Sequence, residues 1–300
     1  MTNTVTLELN SIPSVLKMYP KMMLSRKPGR LKEGASYPRL EASIHGVRPD
    51  RSHVNDFAKV SGFPEDRDFL PLPYPHVLAA PLHYALLTHQ AFPLKLLGLV
   101  HISNSITQHR PIGLEEELSI ACHIQEYDDT IRGQVFHLHT HMQVGDELVW
   151  EETTSFIARK KTPKNKRSNK SPKKIQAVEK SDAQIISWEV PGNMGRKFAK
   201  VSGDINPIHL TNITAKLFGF KQAIIHGVWS MSRTLAELEP QLLKRQTGLN
   251  KLRFDVNFKL PVFIPSWVML ETHDNNDGLE FVMKDSAGVK PHMSGQIEYL

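Results

Sequence analysis

Only one cysteine occurs in the 300 residues, Cys122, so no internal disulfide can form and nothing points to an oxidising compartment. Its surroundings, Ile120-Ala121-Cys122-His123-Ile124, alternate like a strand, which predicts a buried structural thiol rather than a nucleophile. Long hydrophobic runs are also missing. The most apolar stretches, Val77 to Leu87 and Leu94 to Ile102, are interrupted by Pro, His or Lys and fall short of the roughly 20 residues a membrane span needs. The first ten residues lack a basic segment followed by an apolar one, so no signal peptide is visible and a cytoplasmic location is expected. No Gly-x-Ser-x-Gly elbow is present, which argues against a serine hydrolase built on that turn.

What is present suits a globular protein, with 40% hydrophobic and 23% charged residues. The net charge of +6 is unevenly spread. Nine basic residues and no acid lie between Arg159 and Lys174, more positive charge than the whole net excess, so the rest of the chain is mildly acidic. That stretch reads as a solvated linker over 159–175, and its basicity alone is weak support for nucleic acid because no aromatic residues are interleaved for stacking.

The two sides of the linker resemble each other. Phe57-Ala-Lys-Val-Ser-Gly62 recurs as Phe198-Ala-Lys-Val-Ser-Gly203, an offset of 141. Further on the offset becomes 150, matching His76 to His226, Gly98-Leu99 to Gly248-Leu249, and Pro111 to Pro261. The second copy therefore holds nine extra residues between the shared Ser-Gly and the matched His, where Asp204-Ile-Asn-Pro-Ile-His209 lies. The first copy has Phe63-Pro-Glu-Asp-Arg-Asp-Phe69 there.

Each copy predicts a short helix ending at Ser-Gly, then a long apolar helix, near 76–90 and 224–238, then strands. Alternation marks strands at 99–109, 118–127, 131–142 and 147–158, and again at 251–259, 267–273, 278–284 and 293–299. Turns are expected at Asp128-Asp129, Gly145-Asp146, Asn275-Asn276 and Ser286-Ala287-Gly288. Successive strands with short turns imply an α+β fold of antiparallel sheets, each wrapped on one long helix. The expected parts are an N-terminal helical extension (1–36), a first repeat (37–158), the linker (159–175) and a second repeat (176–300).

The loop carries the candidate chemistry. On a continuous helix Asp204 and His209 would diverge by about 140°. Gly203 and Pro207 rule that helix out, and a bent loop can aim both side chains at one point. A carboxylate and an imidazole so placed can hold a water between them and move protons near neutrality. The same residues also fit a plain helix cap, with Asp204 as cap and His209 on the surface. Gly227 lies near the start of the long apolar helix, where an unpaired N–H can face a carbonyl oxygen, or where glycine simply permits close packing. Ser232, five residues on, either points into the same pocket or faces a strand.

From Phe198 to Ser232 the pattern aromatic-Ala-x-x-Ser-Gly-Asp-x-Asn-Pro-x-His, then Gly-Phe, then Ile-x-His-Gly, resembles the motif of MaoC-like (R)-specific enoyl-CoA hydratases and 3-hydroxyacyl-thioester dehydratases. The duplicated plan resembles their double-hotdog members, in which one half keeps the catalytic loop. Phe198 stands where Tyr is common and Val228 where Met or Leu is common. The resemblance implies Asp204 and His209 as the catalytic pair, with Asn206, Gly227 and Ser232 contacting substrate or shaping its site. It further implies no metal or redox cofactor, an acyl-CoA or acyl-carrier-protein substrate from fatty acid metabolism, and a monomeric pseudo-dimer or homodimer.

Three rivals remain at this level. A hotdog thioesterase would direct water at the carbonyl and would not need this Asp/His loop. A non-catalytic acyl-thioester binding module would have no use for an intact dyad. Zinc on His137, His139 and His141, which alternate on one strand face, lacks an identifiable carboxylate or further ligand.

Overall fold

The repeated Ser-Gly ends a helix in both copies. In the computed structural model, which describes residues 4–32, 34–160, 183–244, 251–275 and 277–300, α2 (Arg51–Ser61) and α4 (Met194–Ser202) each stop at a glycine in the left-handed region, Gly62 at φ 87° and Gly203 at φ 71°. That conformation favours glycine and lets the chain reverse. Phe57 and Phe198, equivalent by the 141-residue offset, meet with ring centroids 6.1 Å apart. The last-turn carbonyls are bonded reciprocally. His53 reaches the carbonyl of Val201 at 2.9 Å, and the Trp229 indole N–H donates to the carbonyl of Val60, also at 2.9 Å.

The two long helices are α3 (Tyr74–Thr88) and α6 (Gly227–Leu243). Apolar residues surround α3 on nearly every side, so it is buried rather than half-exposed. The strands of the first half are β2 (Arg39–Val47), β3 (Leu99–Gln108), β4 (Leu118–Thr130), β5 (Gly133–Val144) and β6 (Glu147–Arg159). Those of the second half are β7 (Gln184–Val190), β8 (Leu252–Phe258), β9 (Ser266–Asn275), β10 (Gly278–Asp285) and β11 (Pro291–Tyr299). In space the first half runs β2-β4-β5-β6-β3 and the second runs β8-β11-β10-β9-β7, the same order mirrored.

The two expected sheets meet edge to edge. β3 pairs antiparallel with β8, and Ser105 lies opposite Asp255, its own equivalent at offset 150. A pair of equivalents facing each other marks a pseudo-twofold axis at that point, as in an isologous dimer interface. Fusion along β3 and β8 leaves one continuous sheet of eleven strands and protects two edges that would otherwise be open.

Three local expectations are corrected. The segment before residue 37 holds the expected helix, α1 (Val15–Met23), but also a strand, β1 (Thr4–Leu9), added parallel to β2 at the sheet edge. Asp128 and Asp129 lie inside β4, and the reversal falls at 131–132, just before Gly133. A Cβ on Gly133 would sit 2.2 Å from the Ala158 carbonyl oxygen, so the close approach of β6 requires glycine where β5 begins. A further short helix, α5 (Asn212–Leu217), follows the motif loop. The linker from Lys161 to Lys174, the Gly248-Leu249 match and Asn276 lie outside the described residues. Among the described residues no helix is long and apolar enough to cross a membrane.

Candidate active site

After Gly203 the chain bends through a chain of local hydrogen bonds. The Asp204 N–H donates to Ser202 Oγ at 3.2 Å, and the Asn206 N–H donates to Asp204 Oδ1 at 3.1 Å. Pro207 then opens a single 3-10 turn, Pro207–His209, whose start Asn206 caps by accepting the Ile208 N–H at 3.4 Å. His209 is anchored from the other side, because its Nδ1 bonds the carbonyl oxygen of Ile224 at 2.8 Å. A carbonyl only accepts, so Nδ1 carries the proton and Nε2 is the free acceptor. That Nε2 lies 4.0 Å from Asp204 Oδ2. An oxygen atom about 2.8 Å from both groups fits across the gap.

Three residues outside the sequence-based set complete the surroundings of Asp204. His226 stacks on His209 with centroids 3.7 Å apart, and its Nε2–H donates to the Asp204 backbone carbonyl at 2.9 Å. The Tyr84 hydroxyl, from α3 of the first half, lies beside the Asp204 carboxylate and favours its ionised form. Tyr19, from α1, lies beside the same carboxylate. His226 had a visible signal, since it sits in the repeated pattern beside Gly227. Tyr84 had only a weak one, a hydroxyl on an otherwise apolar helix, and Tyr19 had none.

The electrostatics suit an ionised acid beside a neutral base. Burial works against charge on Asp204, yet His226, His209, the Asn206 N–H and the Tyr84 hydroxyl together hold its carboxyl below the usual value. Burial pulls His209 below its ordinary 6.5, against the opposing pull of the Asp204 charge and the Ile224 carbonyl. Burial, then His209, brings His226 down to about 3. The phenols of Tyr19 and Tyr84 are pushed up, first by burial and then by the Asp204 charge, so both stay protonated as donors.

Asp204, Asn206, His209 and Gly227 all line one pocket of about 420 Å³. Gly227 is the first residue of α6, where the N–H has no intrahelical partner. A Cβ there would press on the Phe258 ring at 3.1 Å, so close approach as well as the free amide favours glycine. Ser232 is a correction. It is fully buried, its hydroxyl donates to the Val228 carbonyl at 2.7 Å, and it does not line the pocket. Ser230 lines the pocket instead, and position 232, about 200° further round the helix, faces the core. Among the described residues Asp204, His209 and His226 form the one group close enough to share a cation, with ligand atoms within 4.8 Å of one another. His226 Nε2 is already engaged with the Asp204 carbonyl, so chelation would cost that bond. The three strand histidines form no such group: His137 bonds Ser155 and Asp128, and His139 bonds Thr153.

Residues 160–293 match the family model described as MaoC like domain. That stretch carries a MaoC-like domain. Similarity extends beyond that domain. The chain is 28% identical over 263 residues to 3-hydroxyacyl-thioester dehydratase X of Mycobacterium tuberculosis, covering 88% of this chain and 90% of that protein. The crystal structure of HtdX from Mycobacterium tuberculosis superposes with a TM-score of 0.73 at 26% identity, covering 87% of this chain and all of that one. A MaoC-like dehydratase from Phytophthora capsici superposes at 0.70 with 17% identity, over 88% of this chain and 95% of that one, a likeness of fold alone. The α+β double hotdog is thus the fold of this chain.

Proposed function

We propose that this protein catalyses the reversible hydration of trans-2-enoyl thioesters, which in reverse is dehydration of (R)-3-hydroxyacyl thioesters, with Asp204 and His209 as its acid–base pair. The observation that carries the reading is the 4.0 Å gap between Asp204 Oδ2 and His209 Nε2, opening on the same pocket as the first amide of α6. The name of the mycobacterial dehydratase supports the same reaction class.

The mechanism follows from the hydrogen-bond directions. Water in the gap gives one hydrogen bond to the Asp204 carboxylate and one to His209 Nε2. His209 takes a proton as the water oxygen bonds to C3. The C2–C3 π electrons move toward the thioester carbonyl, whose oxygen gains negative charge. The Gly227 N–H at the positive end of α6 stabilises that charge, a contact whose loss can cost roughly 3–4 kcal/mol in transition-state stabilisation. The imidazolium then returns its proton to C2 on the same face. The balance closes with water alone, so no redox cofactor or metal is needed for the reaction as written.

Acyl-CoA or acyl carrier protein would present the thioester, and fatty acid metabolism is the matching context. Arg159, Lys259 and His292 line the pocket and offer positive charge or donors to the phosphate of either carrier. Residues 176–300 form the catalytic repeat, 37–158 the supporting repeat, 1–36 the extension that brings Tyr19 to the site, and 159–175 the linker. The protein acts in the cytoplasm as a pseudo-dimer, alone or paired.

The test is Asp204→Asn, assayed by loss of enoyl absorbance with a crotonyl-type thioester. The rate should fall by roughly 10²–10⁴-fold with the thermal midpoint preserved. Turnover within a few-fold of wild type would end this assignment.

A further inference from the structure

The substrate pocket is lined by the imidazole of a second carboxyl–imidazole pair, which the reaction above does not use. The pocket follows one face of α3, where His76, Ala80, His83, Tyr84 and Leu87 all line it. Tyr84 marks the catalytic end, beside Asp204. His76 lies eight residues earlier, about 12 Å along the helix axis. Its Nδ1 is 2.8 and 2.9 Å from the two carboxyl oxygens of Glu152, whose side chain is wholly buried. Asn104 Nδ2 donates to the same carboxyl at 2.6 Å. His76 is 8% exposed and still lines the pocket. With Nδ1 committed to Glu152, Nε2 is the nitrogen the ring can offer to what the pocket holds.

The sister repeat shows that the fold does not require this polarity. Glu152 lies opposite Ile106 and Thr140, and Asn104 lies opposite Thr154. With the 150-residue offset that relates β3 to β8, the matching positions are Gly295, opposite Val256 and Phe281, and Phe254, opposite Ile297. One half therefore holds Asn104, Thr140, Glu152 and Thr154 where the other holds Phe254, Phe281, Gly295 and Ile297. Phe254 and Phe281 stack there at 5.7 Å in an apolar core. Burying a carboxyl group at the same lattice point is costly and is retained only with dedicated partners.

We propose that His76, held by Glu152 and Asn104, is a subsite that hydrogen-bonds an oxygen function of the thioester substrate remote from the reacting carbons. The inference rests on the hydratase reading for the nature of the substrate. A hydroxyl or carbonyl oxygen is the matching chemistry, and it has two possible sources. One is an oxygen-bearing acyl chain, and the other is the amide-bearing arm of the carrier. The rings between the two ends of the site make either geometry continuous: Phe258 abuts Gly227, His101 packs on Phe258 at 4.8 Å, and His101 stacks on His76 at 6.2 Å.

Three 2-enoyl thioesters separate the sources: an alkyl chain on CoA, a chain of equal length with a distal hydroxyl or keto group on CoA, and the alkyl chain on N-acetylcysteamine, which lacks most of the carrier arm. The paired replacement H76L/E152M removes the subsite without leaving an orphan charge. If the acyl chain supplies the oxygen, wild type prefers the oxygenated chain by about tenfold in kcat/KM and the variant loses that preference. If the carrier arm supplies it, the CoA thioester is preferred over the N-acetylcysteamine thioester by a similar factor, again lost in the variant. Absence of both preferences in wild type overturns the proposal with no variant needed, and so does a preference that survives H76L/E152M. Dissociation constants for the saturated thioesters, which cannot be hydrated, give the same comparisons. The subsite can thus fail while catalysis stands, and the reverse.

Discussion

The two loops that follow the repeated Ser-Gly have taken opposite work. In the second half the loop carries Asp204 and His209 into the pocket. In the first half the shorter loop turns Arg67 inward, where it meets Glu239 of the catalytic helix α6 with two bonds of 2.6 and 2.7 Å. Both side chains are almost fully buried, at 5% and 6% exposure. The copy without the Asp-x-Asn-Pro-x-His loop therefore grips the helix whose first residue, Gly227, lines the pocket. Duplication here did not leave one half idle, since the first half also places Tyr84 beside the Asp204 carboxylate.

The largest expected effect breaks this grip. Arg67→Met strands Glu239 as an unpaired buried charge, and loss of one partner in such a pair costs about 3–5 kcal/mol. Urea unfolding of the full chain should show that loss, and the double replacement R67M/E239L should recover most of it. A single variant as stable as wild type would mean the pair is not buried as described.

A second contrast lies in the matched core positions, Glu152 in one half and Gly295 in the other. A Cβ on Gly295 would come 2.1 Å from the Asp255 carbonyl oxygen and 2.5 Å from the Phe281 ring. The backbone oxygen belongs to β8 and cannot step aside without disturbing the β8–β11 ladder. Gly295→Ala should therefore destabilise by about 1–3 kcal/mol, the usual range for overpacking. A neutral result in the same unfolding assay would show that the two repeats are less differently filled than their side chains suggest.

These contrasts also explain what could be read ahead of the structure. Strands with one buried face advertise themselves by alternation, so eight of them were legible from 99 to 299, along with both long helices. β1, β2 and β7 were not, and β1 and β7 are short edge strands, which carry little of that signal. The dyad was legible because glycine and proline force a local bend, and local geometry is written in neighbouring residues. Tyr84 and Tyr19 approach Asp204 from more than a hundred positions away, and no local pattern encodes that approach. Ser232 was misplaced by spacing alone, since a helix needs the register of its buried face before a side chain can be aimed. The joining of the sheets at Ser105 and Asp255 follows from the repeat only once the pairing edge is known.

The contact between halves at the Asp204 carboxylate gives a smaller, sharper test. Tyr84→Phe keeps the ring and removes only the hydroxyl beside Asp204. Hydrogen bonds to charged groups contribute about 1.5–3 kcal/mol, part of which solvent entering the pocket would replace. A fall of about tenfold in kcat with little change in KM is expected, because the phenol orients the carboxylate rather than the substrate. An equal loss from Leu87→Ala, which alters the same helix face without touching Asp204, would point to general loosening instead.

The smallest expected effect separates a buried catalytic imidazole from an ordinary one. The working form needs Asp204 ionised and His209 neutral, and both groups are shifted downward. An imidazole at 6.5 would lose about fourfold of its neutral form between pH 7.5 and 6.0. Because burial holds His209 lower, kcat/KM should fall by clearly less than about fourfold between pH 7.5 and 6.0, with the acid limb displaced downward. A fourfold drop over that interval would mean that solvent reaches His209 freely. The cover given by His226 on one side and the first-half helix on the other would then not seal the base.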